Sequence, residues 1–121
     1  MKKVYYRKLI RDKVPDKILN KGSQIETRRL GQKEFELELR RKLVEESGGV
    51  EQATTKKDII TELADVLVVI DELKKTYKIT PGEIAKAKKD NLAKKGGFKN
   101  KVYLVWSSQD DYKTNEKLGR K

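Results

Sequence analysis

The stretch from about Lys56 to Tyr77, KKDIITELADVLVVIDELKKTY, constrains the fold more than any other part of the chain. Ile59, Ile60, Leu63, Val66, Leu67, Val69, Ile70 and Leu73 recur at helical spacing and cover more than a single stripe. A helix apolar over that width must be covered on more than one side. It therefore lies centrally in a bundle, or faces a second subunit as well as its own chain.

The remaining helix signals are shorter. Between about Gln32 and Glu46, Phe35, Leu39 and Leu43 fall at intervals of four, and Glu46 continues that face. Residues 47–55, SGGVEQATT, predict a loop after this helix because adjacent glycines interrupt it. Thr80-Pro81-Gly82-Glu83 predicts a capping box opening a further helix, which runs to about Lys95 and stops at Gly96-Gly97. Pro15 suits the first turn of a short helix ending near Gly22.

Extended structure is expected at both ends. Val4 to Tyr6 is a short apolar segment, residues 24–30 (QIETRRL) alternate imperfectly, and residues 101–106 (KVYLVW) place Val102, Leu104 and Trp106 on one side of an expected strand. The reading is thus mainly α, a helical bundle with short N-terminal and C-terminal extended or strand segments. A chain of 121 residues fits one domain, expected over residues 1–106, with 107–121 a polar C-terminal tail.

Composition narrows the chemistry. The absence of cysteine and histidine excludes disulfide scaffolds, thiolate or imidazole metal sites, and nucleophile–histidine dyads. Any metal must be held by carboxylate oxygens, which favours Mg²⁺ or Mn²⁺. No run is long enough to span a membrane, and MKKVYYRKL lacks the apolar core of a signal segment, so a cytoplasmic location is expected. The net charge of +11 is uneven: residues 1–30 carry 10 basic and 3 acidic groups, residues 31–79 carry 9 and 11, and residues 80–121 carry 11 and 5. A nucleic-acid binder needs only the basic part. An enzyme acting on phosphates needs carboxylates for an ion and cations for phosphate oxygens.

The acidic middle supplies a candidate site. Glu62 and Asp65, three residues apart, project from one helix face. Beside so much apolar surface the pair is costly unless a divalent cation compensates it, or unless it lies at the stripe's edge against solvent or lysine. Two antiparallel helices bring Glu46 opposite that pair, with Glu45 next to it. No phosphate-binding glycine loop of the Walker type is present, and Gly48-Gly49 and Gly96-Gly97 read as helix terminators. Tyr103 and Trp106 either stack on a base or, the preferred reading, pack the terminal segment on the helices.

These segments resemble the all-α nucleoside triphosphate pyrophosphohydrolases, which include MazG-like and phosphoribosyl-ATP pyrophosphohydrolase-like proteins. Residues 42–46 (KLVEE) are similar to the end of that family's first metal motif, and residues 60–73 (ITELADVLVVIDEL) to its second. Residues 6–15 (YRKLIRDKVP) and 94–105 (KKGGFKNKVYLV) resemble the ends of one subgroup. The resemblance implies a helical, commonly dimeric or further assembled protein. It also implies a Mg²⁺-dependent cleavage of nucleotides between the α and β phosphates, releasing the monophosphate and pyrophosphate. Glu46, Glu62 and Asp65 fall on metal positions, with Glu45 a nearby acid for metal or water. Gly49 and Val68 depart from the motif, standing where further acids are expected, and Glu51 or Asp71 is a candidate substitute.

That reaction needs a carboxylate, Glu45 or Glu46, to accept the water proton, since histidine is absent. It also needs cations on the phosphates, for which Lys8, Arg11, Lys13, Lys94 and Lys95 are the candidates. Arg11 is preferred because a guanidinium grips two oxygens at once. Asp12 either orients Arg11 or caps the short helix, the cap being favoured. The competing functions are a degenerate member that binds a nucleotide or another protein, and a nucleic-acid binder using residues 86–101.

Overall fold

The computed structural model describes residues 1–108. It contains four helices in this order: α1 (Val14–Asn20), α2 (Gln32–Gln52), α3 (Lys56–Thr76) and α4 (Pro81–Lys95). The chain divides into two compact units, Met1–Glu83 and Ile84–Lys121, the boundary falling inside the first turn of α4. From residue 109 onward, the expected polar tail lies outside the described residues. No helix among those described is long and apolar enough to cross a membrane.

In the first unit, α2 and α3 pack on one another as an antiparallel hairpin. Thr55 starts α3 by accepting a hydrogen bond from the Asp58 amide at 3.1 Å, the expected work of an N-cap threonine. At the far end, Arg40 of α2 donates to the Tyr77 hydroxyl. The core between the helices is thin. Leu39 of α2 and Val69 of α3, 5% and 6% exposed, are its buried apolar side chains.

The end of α3 is a Schellman motif. The Lys78 amide bonds the Lys75 carbonyl at 3.2 Å and the Ile79 amide bonds the Lys74 carbonyl at 2.8 Å, with Lys78 in the left-handed region at φ 55°. The next helix opens with the expected capping box: Glu83 donates its amide to Thr80 Oγ1 at 3.1 Å, and Thr80 donates its amide to Glu83 Oε1 at 2.9 Å. That hydrogen bond holds the Glu83 carboxyl below its ordinary range. Gly96, at φ 75°, ends α4 at the expected position.

Two expectations are corrected. First, there is no strand among the described residues; residues 4–6, 24–30 and 101–106 have no regular structure. Alternation marks a strand only where a neighbour pairs its backbone, and here none does. Val102, Tyr103 and Trp106 are accordingly 87%, 74% and 77% exposed, with no strand to carry them. The fold is all-α.

Second, α2 does not stop at Glu46 but continues through Gly48-Gly49 to Gln52, leaving a connection of only residues 53–55. Each glycine costs a helix about 1 kcal/mol relative to alanine, too little to end one already nucleated and packed lengthwise on a neighbour.

Candidate metal centre

Glu46 comes from α2, and Glu62 and Asp65 come from α3 one turn apart. The hairpin brings one carboxylate oxygen from each within 4.8 Å of the other two. All three side chains are partly buried. This is the convergence expected of an antiparallel pair, and it is made closer by Gly49. A Cβ at that position would collide with Glu62 Oε2 and lie 3.0 Å from Glu62 Cδ. The glycine that departs from the acidic motif therefore provides the space in which the Glu62 carboxylate sits.

The basic segment before α1 crosses the same end of the hairpin. Lys8 Nζ lies 2.6 Å from Glu45 Oε1, and Arg11 Nη2 lies 2.8 Å from Asp65 Oδ1. Lys42, one turn before the acids on α2, reaches Glu45 Oε2 at 2.8 Å and Glu46 Oε1 at 3.5 Å. Partial burial pushes the Glu45 carboxyl up, but the hydrogen bonds from Lys42 and Lys8 outweigh it and hold the group below its ordinary range. The same bond to Glu45 raises the Lys8 ammonium. Beside these groups is a cleft of about 330 Å³ lined in part by Tyr6, Arg7, Arg41 and Glu38. Arg7 and Lys8 lie over the rings of Tyr5 and Tyr6, at 4.9 and 5.8 Å from their centroids.

Of the sequence-nominated residues, Lys8, Arg11, Glu45, Glu46, Glu62 and Asp65 are thus gathered in one place. Lys13 is the N-cap of α1 and exposed. Asp12 does not cap that helix, which has no side-chain cap. Lys94 and Lys95 close α4 in the second unit, both exposed. Glu51 lies in the last turn of α2 and Asp71 points to solvent, 70% exposed; neither belongs to the acidic trio. Lys42 escaped the sequence reading. Its signal was present as a lysine three and four residues before two glutamates on one helix.

Three hard oxygen donors on opposed helices suit Mg²⁺ or Mn²⁺. Their present partners, Arg11 and Lys42, show that the trio already draws positive charge. The chain matches no protein-family model, no curated protein and no solved structure.

Proposed function

We propose that the protein is a metal-dependent nucleoside triphosphate pyrophosphohydrolase that releases a nucleoside monophosphate and pyrophosphate. The observation that carries this reading is the approach of Glu46, Glu62 and Asp65 within 4.8 Å, with Lys8 and Arg11 at its edge. The resemblance of residues 6–15, 42–46 and 60–73 to the all-α pyrophosphohydrolases supports it.

Glu46, Glu62 and Asp65 would hold Mg²⁺ or Mn²⁺, and the ion would supply positive charge to the nonbridging phosphate oxygens. A water oxygen adds to the α-phosphorus, the bond to the departing pyrophosphate breaks, and a carboxylate takes the water proton. Glu45, held low by its hydrogen bonds from Lys42 and Lys8, keeps those two cations beside the acidic trio, and Glu45 or Glu46 takes the water proton. Arg11 exchanges Asp65 for phosphate oxygens when substrate and metal enter, and its planar guanidinium grips two of them.

A second reading is favoured by Gly49 and Val68, which supply no carboxylate, and by the Arg11–Asp65 ion pair: a protein that binds the nucleotide without cleaving it. Calorimetric titration of Mn²⁺ followed by nucleotide, with product analysis on the same samples, distinguishes the two. Binding with release of monophosphate and pyrophosphate supports the enzyme. Binding without products supports the second reading, and loss of neither in Glu62→Gln rejects the assigned metal site.

A further inference from the structure

Residues 84–108 of the second unit are exposed throughout. They carry seven lysines against one acid, Asp90, and that acid is taken by Lys86 at 2.9 Å. Lys94, Lys95, Lys99 and Lys101 make no ion pair among the described residues. Gly96, at φ 75°, turns the chain out of α4. The Lys101 amide then bonds the Phe98 carbonyl at 3.0 Å, a β-turn that brings Phe98 and Lys101 together across Lys99 and Asn100. Phe98 is 96% exposed, and the rings of Tyr103 and Trp106 are also open to water. Contiguous apolar surface left in water marks an interaction site, and here it is interleaved with uncompensated positive charge.

We propose that residues 94–106 bind a single-stranded nucleic acid, the rings of Phe98, Tyr103 and Trp106 stacking on its bases and Lys94, Lys95, Lys99 and Lys101 meeting its phosphates. A basic track interleaved with aromatic rings suits such a strand, because every base offers a flat face and every linkage a negative charge. A duplex fits less well: its bases already stack on one another and leave the rings without partners. A lipid surface also attracts lysine, but an interfacial helix needs one wholly apolar side. At about 100° per residue, Lys86, Lys88, Lys89, Lys94 and Lys95 are spread all round α4, and Lys88 and Lys95 fall on the same side as Ile84 and Leu92. No such side exists. The surface uses none of the residues assigned to nucleotide cleavage in the first unit, so strand binding is a further activity and not a part of that one.

The test uses the full chain and an oligo(dT) strand of about 20 nucleotides, long enough for an ordinary single-strand site. Binding is read from the anisotropy of a labelled strand and, with an unlabelled one, from the fluorescence of Trp106, the chain's single tryptophan. The strand binds and quenches Trp106, as stacking on a base requires. Tyr103→Ala and Trp106→Ala each weaken binding at least about fivefold, the lower end of what a base–ring stack contributes, while Trp106→Phe keeps a ring and stays within about threefold of the parent. Four lysine contacts make affinity fall about 50-fold between about 50 and about 200 mM salt, and Lys99→Gln/Lys101→Gln halves the logarithmic slope. All four variants replace exposed side chains and keep the helical circular dichroism. Absence of strand binding overturns the proposal. Binding that leaves Trp106 fluorescence and the affinity of Trp106→Ala unchanged rests on charge alone and overturns the stacking role. A duplex of the same length bound as tightly overturns the preference for a single strand. A blue shift of Trp106 on phosphatidylglycerol vesicles, with the strand unbound, makes the surface a membrane contact instead.

Discussion

A methyl group added at Gly49 meets the Glu62 carboxylate, whereas one at Gly48 meets open space, so two neighbouring glycines separate the helix from the site. Gly48→Ala gains about 0.5–1 kcal/mol of stability in urea unfolding and leaves Mn²⁺ affinity unchanged. Gly49→Ala brings the same propensity gain but displaces the Glu62 carboxylate, and weakens Mn²⁺ binding about 10-fold by calorimetry, the size typical of disturbing a ligand's support. Equal Mn²⁺ affinity in the two variants contradicts the role given to Gly49. Arg11→Ala is expected to weaken nucleotide binding in the presence of metal without lowering the unfolding midpoint, because the Arg11–Asp65 pair is half exposed and such pairs contribute about 0–1 kcal/mol to the fold. Helix periodicity made Glu62 and Asp65 legible as neighbours on one face and Glu46 as a continuation of the apolar face of α2, while their meeting was expected from an antiparallel hairpin and from the family resemblance. The Gly49 role was not, since a close approach between two helices depends on their separation, which no local pattern records.

Helix ends tell the same story in the other direction. Capping at Thr80 and Glu83 and termination at Gly96 are local chemistry, and both are where the sequence puts them. The end of α2 and the absence of strands are decided by partners instead. α3 runs alongside Gly48-Gly49 and carries the helix through, while residues 101–106 have the composition of a strand and no neighbour to pair with. Lys78, left-handed at the end of α3, is the position where a Schellman motif prefers glycine. Lys78→Gly should therefore raise stability by about 1 kcal/mol, the order of the left-handed penalty for a residue with a Cβ, as read from the urea midpoint. An unchanged or lowered midpoint means that the strain at φ 55° is already relieved. Because hydrogen bonding to Thr80 holds the Glu83 carboxyl low, the α4 cap contributes fully above the ordinary carboxylate pKa and is lost as pH falls through the lowered value. The Thr80 and Glu83 amide resonances should move together in that acid range.

The basic N-terminal segment and the acidic hairpin are joined through groups whose titration sets a pH window. Glu45, lowered, stabilises the docked segment above its ordinary pKa and ceases to do so as pH falls through its folded value. Lys8, raised, contributes below its ordinary pKa and ceases to do so as pH rises through its folded value. Docking is therefore strongest between about pH 4.3 and about pH 10.4, the unperturbed values of the two groups, and it weakens with salt because both side chains are substantially exposed. Tyr6 ring shifts that stay constant through the neutral range and relax toward free-chain values in acid are the expected record. In the proposed function, this cationic segment and the acidic trio form one nucleotide-cleaving site. Its most direct measurement is product analysis across the common ribonucleoside and deoxyribonucleoside triphosphates, with Mg²⁺ and with Mn²⁺, for the parent protein and Glu62→Gln. The expected result is slow, metal-dependent release of monophosphate and pyrophosphate from at least one triphosphate, stronger with Mn²⁺ because few carboxylates would hold the ion, and none from Glu62→Gln. No such products with either metal, or equal release by Glu62→Gln, would contradict it.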